Sequence, residues 1–399
     1  LLADRRVRHV LVGLVASGAA DTFLPVTLSF AVLQTTGSAG KLGLVLAGQS
    51  AVALLLTLAG GLAGDRFPRG RILIVSLAAR AAVAAVLAVT LMTRTAPFGL
   101  LCALAAVYGC ADGFFGPASS ALLPEVVSCD QLAAANAVVG GSASSVRVAA
   151  PVIAGIVVAA LGAAAAFTIQ AAVLAIAVGC LASARLPARS TAPAAPAGPL
   201  SQLKAGWAEF ARLRWLWLLT GQWTVFSLII LAPVAVLGPA IAVRSLGGAP
   251  AWGLINSCLS LGAVAGQVIG GRIRPPQRPA LLIAGLVPGM TGEALVLGLG
   301  APLAAVALAT TVSGMAIGLQ SVIFPTAMQT SIPPGVLARV TSIDLLASEA
   351  GQPIGYALAG PVGAAVGPHT FLAASAIGMF TASSAFALLR PLRTEIRRT

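Results

Sequence analysis

Read for apolar and polar positions alone, the 399-residue chain resolves into long continuous apolar runs separated by short polar or charged turns. The runs fall at about 8–33, 41–64, 70–93, 98–121, 136–161, 163–184, 215–243, 250–271, 279–300, 302–325, 338–362 and 367–390. Each is long enough for one helical crossing, which takes ~20 apolar residues through ~30 Å of hydrocarbon. A membrane barrel would instead need alternating segments of about ten residues, and these runs do not alternate. The pattern predicts an all-α, polytopic membrane protein with twelve transmembrane helices. The first run follows Arg5, Arg6 and Arg8 as a signal peptide would, but it is longer, contains Asp21 and leads straight into another run. It is therefore read as the first span.

The interruptions divide the chain. Short outer turns are expected at Gln34–Gly40 and Arg94–Pro97, and a longer inner loop over Leu123–Asn136. Residues 187–199 carry Pro187, Pro193, Pro196 and Pro199 among Ala, Ser and Gly, with no apolar period, which is the composition of a linker. Leu203, Trp207, Phe210 and Leu213 then recur at helical spacing against Lys204, Glu209, Arg212 and Arg214. That spacing fits either a short interfacial helix or an extension of span 7. The expected organisation is a six-helix half over 1–186, a linker over 187–214 and a second six-helix half over 215–399. Internal correspondences support duplication. Phe115 and Pro124 recur as Phe324 and Pro333 at an offset of 209, and Arg147 and Pro151 align with Glu349 and Pro353 at 202.

Composition agrees: 58% of residues are hydrophobic, 9% are charged, and mean hydropathy is +0.98. The net charge of +13 suggests nucleic acid until the positions are read. Nineteen of the 24 Lys and Arg fall in the tails and in alternate turns; only Lys41, Arg94 and Arg244 fall on the opposite side, and Arg80 and Arg147 within spans. This asymmetry puts both termini in the cytoplasm. It reads as topology plus contact with anionic lipid, with no nucleic-acid partner. The five cysteines, Cys102, Cys110, Cys129, Cys180 and Cys258, have neither metal-site nor disulfide spacing, so no metal is expected. Arg outnumbers Lys 22 to 2, consistent with a GC-rich bacterial genome and a plasma-membrane location.

The stretch Gly60-Gly61-Leu62-Ala63-Gly64-Asp65-Arg66-Phe67-Pro68-Arg69-Gly70-Arg71 joins spans 2 and 3. It resembles the loop signature of the major facilitator superfamily, G-x-x-x-D-R/K-x-G-R-R/K. Gly61, Asp65, Arg66, Arg69 and Arg71 fall on that pattern, while Pro68 stands at its second Gly and Gly70 at a basic position. Asp112 to Ala118, Leu122 to Glu125, Ala135 to Ala137 and Arg147 to Gly155 look like the span 4 to span 5 passage of bacterial drug and siderophore exporters. Gly355 to Pro361 resembles the same branch. Within the exporters' span 5 core, G-P-x-x-G-G, Pro151 and Gly155 match, and Ala150 and Ala154 replace glycines. The chain is similar to an actinobacterial efflux branch near enterobactin exporters and macrolide-efflux proteins. The resemblance implies two pseudo-symmetric six-helix halves, a gating role for the span 2–3 loop, close packing at Pro151 and Gly155, and transport by alternating access.

Charges within spans are costly and point to a wet cavity or a partner. Asp21 lies four residues before Pro25, which removes the amide that would bond the residue-21 carbonyl. Ser17 and Gly13 share its face, making a polar stripe suited to a proton or cation; the alternative is a local cap at the helix break. Asp112 shares a face with Phe115 and Ser119, suiting a cationic amphiphile, or else is a hydrogen-bonded packing residue. Arg147, among Ser142, Ser144 and Ser145, is read as the partner that neutralises an acid. Asp344 and Ser348 face one way, and Glu349 is rotated by roughly 140° from Asp344. Asp21, Asp112, Asp344 and Glu349 are the proton-coupling candidates. Trp223, Phe226, Asn256 and Gln320 are further cavity candidates, with Gln49 beside them. Glu293 and Arg80 are read as structural, Arg80 by snorkelling.

These features predict a proton-coupled exporter of small amphipathic compounds, with a bilayer, protons and a small-molecule substrate as partners. It needs no cofactor and is expected to act as a monomer. An importer or uniporter, or a transport-dead sensor of the same fold, are the alternatives. An enzyme is not expected. His9 and His369 are the only histidines, no G-x-S-x-G occurs, and neither Lys41 nor Lys204 completes a phosphate-binding loop.

Overall fold

The computed structural model describes residues 5–127, 129–184, 207–273 and 278–388. Within these, the side chains of 58, 61–66, 120–121, 123–125, 129–138, 334–335 and 338 are not described. Among the described residues the chain is all helix and turn. α1 is Arg5–Thr36, α2 Ala39–Arg66, α3 Arg69–Met92 and α4 Phe98–Val126. Helical hydrogen bonding then continues over Cys129–Ser183, but Gly162 inside it is non-helical (φ 84°, ψ 166°). A straight helix of 55 residues would be ~80 Å long, far beyond one crossing. We therefore number α5 (129–161) and α6 (163–183) as separate spans.

α7, Arg214–Leu246, contains π-type turns at Ser227–Leu231 and Ala242–Leu246. α8 is Ala249–Arg272, α9 Pro279–Gly298 and α10 Leu303–Ser331. α11 joins Pro334–Glu349 to Gly351–Val366, and α12 is Pro368–Phe386, turned from α11 by 116° at Gly367 (φ 89°). Gly162 and Gly367 occupy the same turn of the two repeats, 205 residues apart, both in a backbone region that L side chains rarely adopt.

The chain forms two compact units. One contains residues up to Ala194 plus Ala242–Ser257; the other contains Ala195–Ile241 and Cys258 onward. The end of α7 and the first turns of α8 thus belong to the first unit's packing. There, an added Cβ at Gly155 of α5 would strike the Ala249 carbonyl, and one at Gly253 of α8 the Pro151 carbonyl.

Several boundaries differ from the sequence pattern. The loop expected over Leu123–Asn136 is helical apart from the short break between α4 and α5, because Pro124 is absorbed within α4. Likewise α1 runs to Thr36 and α2 begins at Ala39, leaving two residues of the expected seven-residue outer turn. The linker at 187–199, with Leu203 and Lys204, lies outside the described residues. Residues 207–212 form a short helix separated from α7 at Leu213 (φ −88°, ψ 85°), so it is not a continuation of that span. Phe210 of this helix is buried with Trp215 and Leu216, while Trp207 stays exposed and stacks on it at 5.8 Å.

Lipid chains are as apolar as leucine, so helix association in a bilayer depends on close packing of small residues. Two seams show this. Gly60 of α2 meets the Gly113 carbonyl of α4, and Gly109 and Gly113 meet backbone at Gln49 and Ala53. In the second repeat, Gly262 and Gly266 of α8 meet backbone at Thr311 and Met315, and Gly314 and Gly318 of α10 meet backbone at Leu259 and Ala263. Gly109 and Gly318 correspond at the same offset of 209 seen in the sequence.

Gly262→Leu or Gly314→Leu should each cost about 1–3 kcal/mol through overpacking and lower the melting temperature in detergent. Gly179→Ala, where an added Cβ meets nothing, should leave the melting temperature unchanged or raise it.

Candidate functional site

Unit 1 carries a charge cluster on α1, α3 and α4. Arg80 of α3 is fully buried. Its guanidinium pairs with Asp21 of α1 through Nη2, and Nη1 lies 3.7 Å from Oδ1 of Asp112 on α4. The cation sits over two α4 rings, 4.9 Å from the Tyr108 centroid and 5.0 Å from that of Phe115. These rings are seven residues apart on one face of the helix, so α4 offers the cation two π faces with Asp112 between them in sequence. Nη2 also donates to the Tyr108 hydroxyl at 3.1 Å, and that hydroxyl reaches Asp21 Oδ1 at 3.5 Å. Gln170 of α6 donates to the Ala20 carbonyl at 3.0 Å and lies 3.5 Å from the same hydroxyl.

The carboxylates are not sealed in with their cation. The side chains of Asp21 and Asp112 are 38% and 49% exposed, against 0% for Arg80. One cation therefore faces two acids at the surface of the unit. Nε and Nη1 of Arg80 have no hydrogen-bond acceptor among the described residues.

Unit 2 holds a different carboxylate site. Asp344 of α11 is 8% exposed, and Thr220 of α7 donates to its Oδ1 at 2.5 Å. One turn along, Thr224 donates to the Ala347 carbonyl at 2.8 Å, pinning the same two helices. Small residues bring them together: added Cβ atoms at Gly351 and Gly355 would strike the Thr224 and Leu228 carbonyls. Beside Asp344 is a cavity of about 300 Å³. Trp223, Phe324 and Ile317 supply apolar walls, and Thr220, Gln320 and Ser348 supply polar atoms. Oε1 of Gln320 is buried with no partner among the described residues. Glu349 is half-buried and receives a hydrogen bond from Gln352 Nε2 at 2.6 Å. The Trp223 side chain hydrogen-bonds it as well. Asp344 and Glu349 leave α11 in different directions, yet Trp223 touches the surroundings of both.

Other expected site residues fall elsewhere. Ser17 is buried at 1% exposure, and Gly13 on the same face packs against Leu181 of α6. Phe226 is a fully buried core residue with its ring 5.4 Å from Trp223. Arg147 is exposed and makes no ion pair with a described acid; Arg80 is the partner of Asp21 and Asp112. Asn256 donates to the Trp252 carbonyl one turn back, and Ser119 to that of Gly116. Gly61, Asp65 and Arg66 fall in the last turns of α2 with side chains outside the described residues; Arg71 is exposed at the start of α3, where Arg69 is the first residue.

Removing Arg80 strands two carboxylates. Arg80→Leu should destabilise the protein and lower its melting temperature, by less than the loss of a fully buried partner would because both carboxylates are part-exposed. Arg80→Lys should recover only part of this, because a point charge replaces a planar fork held between rings. Adding Asp21→Asn to Arg80→Leu should restore much of the loss in thermal unfolding.

A family model described as Major Facilitator Superfamily matches residues 10–355. The enterobactin exporter EntS of Citrobacter koseri is 29% identical over 302 residues, covering 74% of this chain and 71% of that protein. The protein of the same name from Escherichia coli (strain SMS-3-5 / SECEC) is 30% identical over 307 residues, with the same coverage. Among solved structures, an inward-facing, unoccupied bacterial homolog of the human lysosomal transporter Spinster superposes with a TM-score of 0.72 at 14% identity, over 97% of both chains. A POT family transporter in complex with 5-aminolevulinic acid gives 0.74 at 12% identity, over 98% of this chain and 96% of that one. Fold, spans and family match agree that the chain belongs to the major facilitator superfamily of membrane transporters.

Proposed function

We propose that this chain is a proton-coupled exporter of small amphipathic compounds, such as drugs, antibiotics or siderophores. It works by alternating access in a bacterial plasma membrane, with both termini in the cytoplasm. Similarity to enterobactin exporters supports the direction, and the distribution of Lys and Arg supports the orientation.

The observation that carries the proposal is the shared guanidinium. With both acids ionised, Asp21, Asp112 and Arg80 hold one surplus negative charge. In a membrane-spanning segment that surplus is unfavourable until a proton or a cationic substrate group neutralises it. Asp112, at 3.7 Å and more exposed, is the looser partner and the group that exchanges its proton. Asp21 holds Arg80 in place. The cavity beside Asp344 takes the apolar body of the substrate against Trp223 and Phe324, with Gln320, Ser348 and Thr220 offering hydrogen bonds. Asp344 and Glu349 add a preference for cationic or donor-rich compounds. The basic turn around Arg69 and Arg71 is assigned to gating.

Coupling free energies of about 1–3 kcal/mol correspond to affinity changes of about 5–150-fold. Asp112→Asn should remove this coupling, leaving downhill exchange intact but abolishing accumulation driven by a proton gradient in proteoliposomes. Asp344→Asn should weaken binding of cationic compounds more than neutral ones. Retention of gradient-driven accumulation by Asp112→Asn, or net uptake into cells in place of extrusion, would overturn the assignment.

A further inference from the structure

A second cavity of unit 2, about 350 Å³, lies between α7 and α12. Trp217, Gly221 and Val225 line it from α7, and Ser383 and Phe386 from α12. The first three are four residues apart and form one stripe down the helix. α12 packs against Ser227–Leu231, and nearer Arg214 the two helices part around the groove. No step of transport described above uses it.

Its dimensions and polar atoms say what fits. From Trp217 to Val225 is eight residues, or ~12 Å at 1.5 Å per residue, which is less than half of a ~30 Å hydrocarbon core. The groove therefore fits within one leaflet. Arg214 is exposed one turn before Trp217, the first lining residue of α7, which is itself 44% exposed. Part of the way down, Ser383 is 1% exposed and its Oγ has no hydrogen-bond partner among the described residues. An added Cβ at Gly221 meets nothing, so the middle of the groove is open beside bare backbone.

A cation at the headgroup level, a spare hydroxyl donor below it and an apolar channel beyond match a diacyl phospholipid read from the top down. We propose that this groove binds an anionic phospholipid of the leaflet at the Arg214 end. Its phosphate meets Arg214, an ester carbonyl accepts from Ser383 Oγ, and one acyl chain runs past Gly221 to Val225.

The test uses the whole chain in nanodiscs with phospholipids brominated on the acyl chain, which quench nearby tryptophans. Trp217 emission is isolated by comparison with Trp217→Phe. Attraction of one arginine for an anionic headgroup corresponds to about a fivefold preference. Brominated phosphatidylglycerol should therefore quench Trp217 at about fivefold lower mole fraction than brominated phosphatidylcholine. Arg214→Ala should equalise the two lipids. Gly221→Phe, which fills the groove, should remove the quenching by either, while Gly221→Ala keeps it. Equal quenching by both lipids in the unaltered protein overturns the proposal, as does a preference that survives Arg214→Ala. So does quenching that is absent in the whole chain but appears when it ends at Leu388, which would make the following segment the occupant. Should Arg214→Ala not fold, displacement of brominated phosphatidylglycerol by unbrominated phosphatidylglycerol and phosphatidylcholine in the unaltered protein decides the same question. Equal displacement by the two lipids refutes it.

Discussion

A guanidinium with no access to solvent, in a span of a membrane protein, constrains every helix around it. Arg80 cannot lose its charge, so the surrounding residues must compensate it. Asp21 supplies the countercharge, Tyr108 and Phe115 supply π faces, and Gln170 holds the tyrosine hydroxyl from a further helix. Four spans are thereby tied at one atom cluster whose alternatives are all expensive. Dispersion and small-residue packing bring helices together without dictating which rotation about the axis wins. A buried ion shared among α1, α3, α4 and α6 does dictate it.

The two repeats solved packing alike and chemistry differently. The α2–α4 seam and the α8–α10 seam use the same reciprocal glycines against backbone carbonyls. At the level of ionisable groups the resemblance stops. The first repeat balances carboxylates against a cation. The second contains no such cation beside Asp344 among the described ion pairs and satisfies the acid with a threonine hydroxyl. The first arrangement responds to charge in its surroundings, the second to the supply of hydrogen-bond donors. Duplication thus preserved the geometry that bilayers demand and left the polar interior free to diverge.

Much of the fold was legible in the sequence because a bilayer enforces long apolar runs, and no other local preference competes with that. Boundaries blurred where proline was taken as punctuation. Pro124 continues α4, since neighbouring helices can shield the backbone it frees. The chemistry was harder to read. Asp21 and Asp112 stand out as charges in apolar runs, but Arg147, read as neutralising an acid, is not the cation beside them; Arg80 is. Arg80 is 59 residues from one acid and 32 from the other, and nothing local marks that pairing. A hint existed: Tyr108 stands one turn before Asp112, and Ser76 one turn before Arg80, a polar face on each of two adjoining helices. Periodicity puts Ser17 on the face of Asp21 without revealing that Ser17 is buried while Asp21 is part-exposed. Thr220 and Gln170 went unnoticed because a single threonine or glutamine in an apolar run is common, and only its partner gives it meaning.

The paired glycines at 162 and 367 have an evolutionary corollary. This chain is rich in alanine and glycine, and most of its surface can drift among small and apolar residues without penalty. Those two corners are different, because each reverses the chain in a conformation that residues bearing a β-carbon rarely adopt. They hold equivalent bends between the last two helices of each six-helix half. A side chain at either corner would strain the bend, whatever cargo the chain carries.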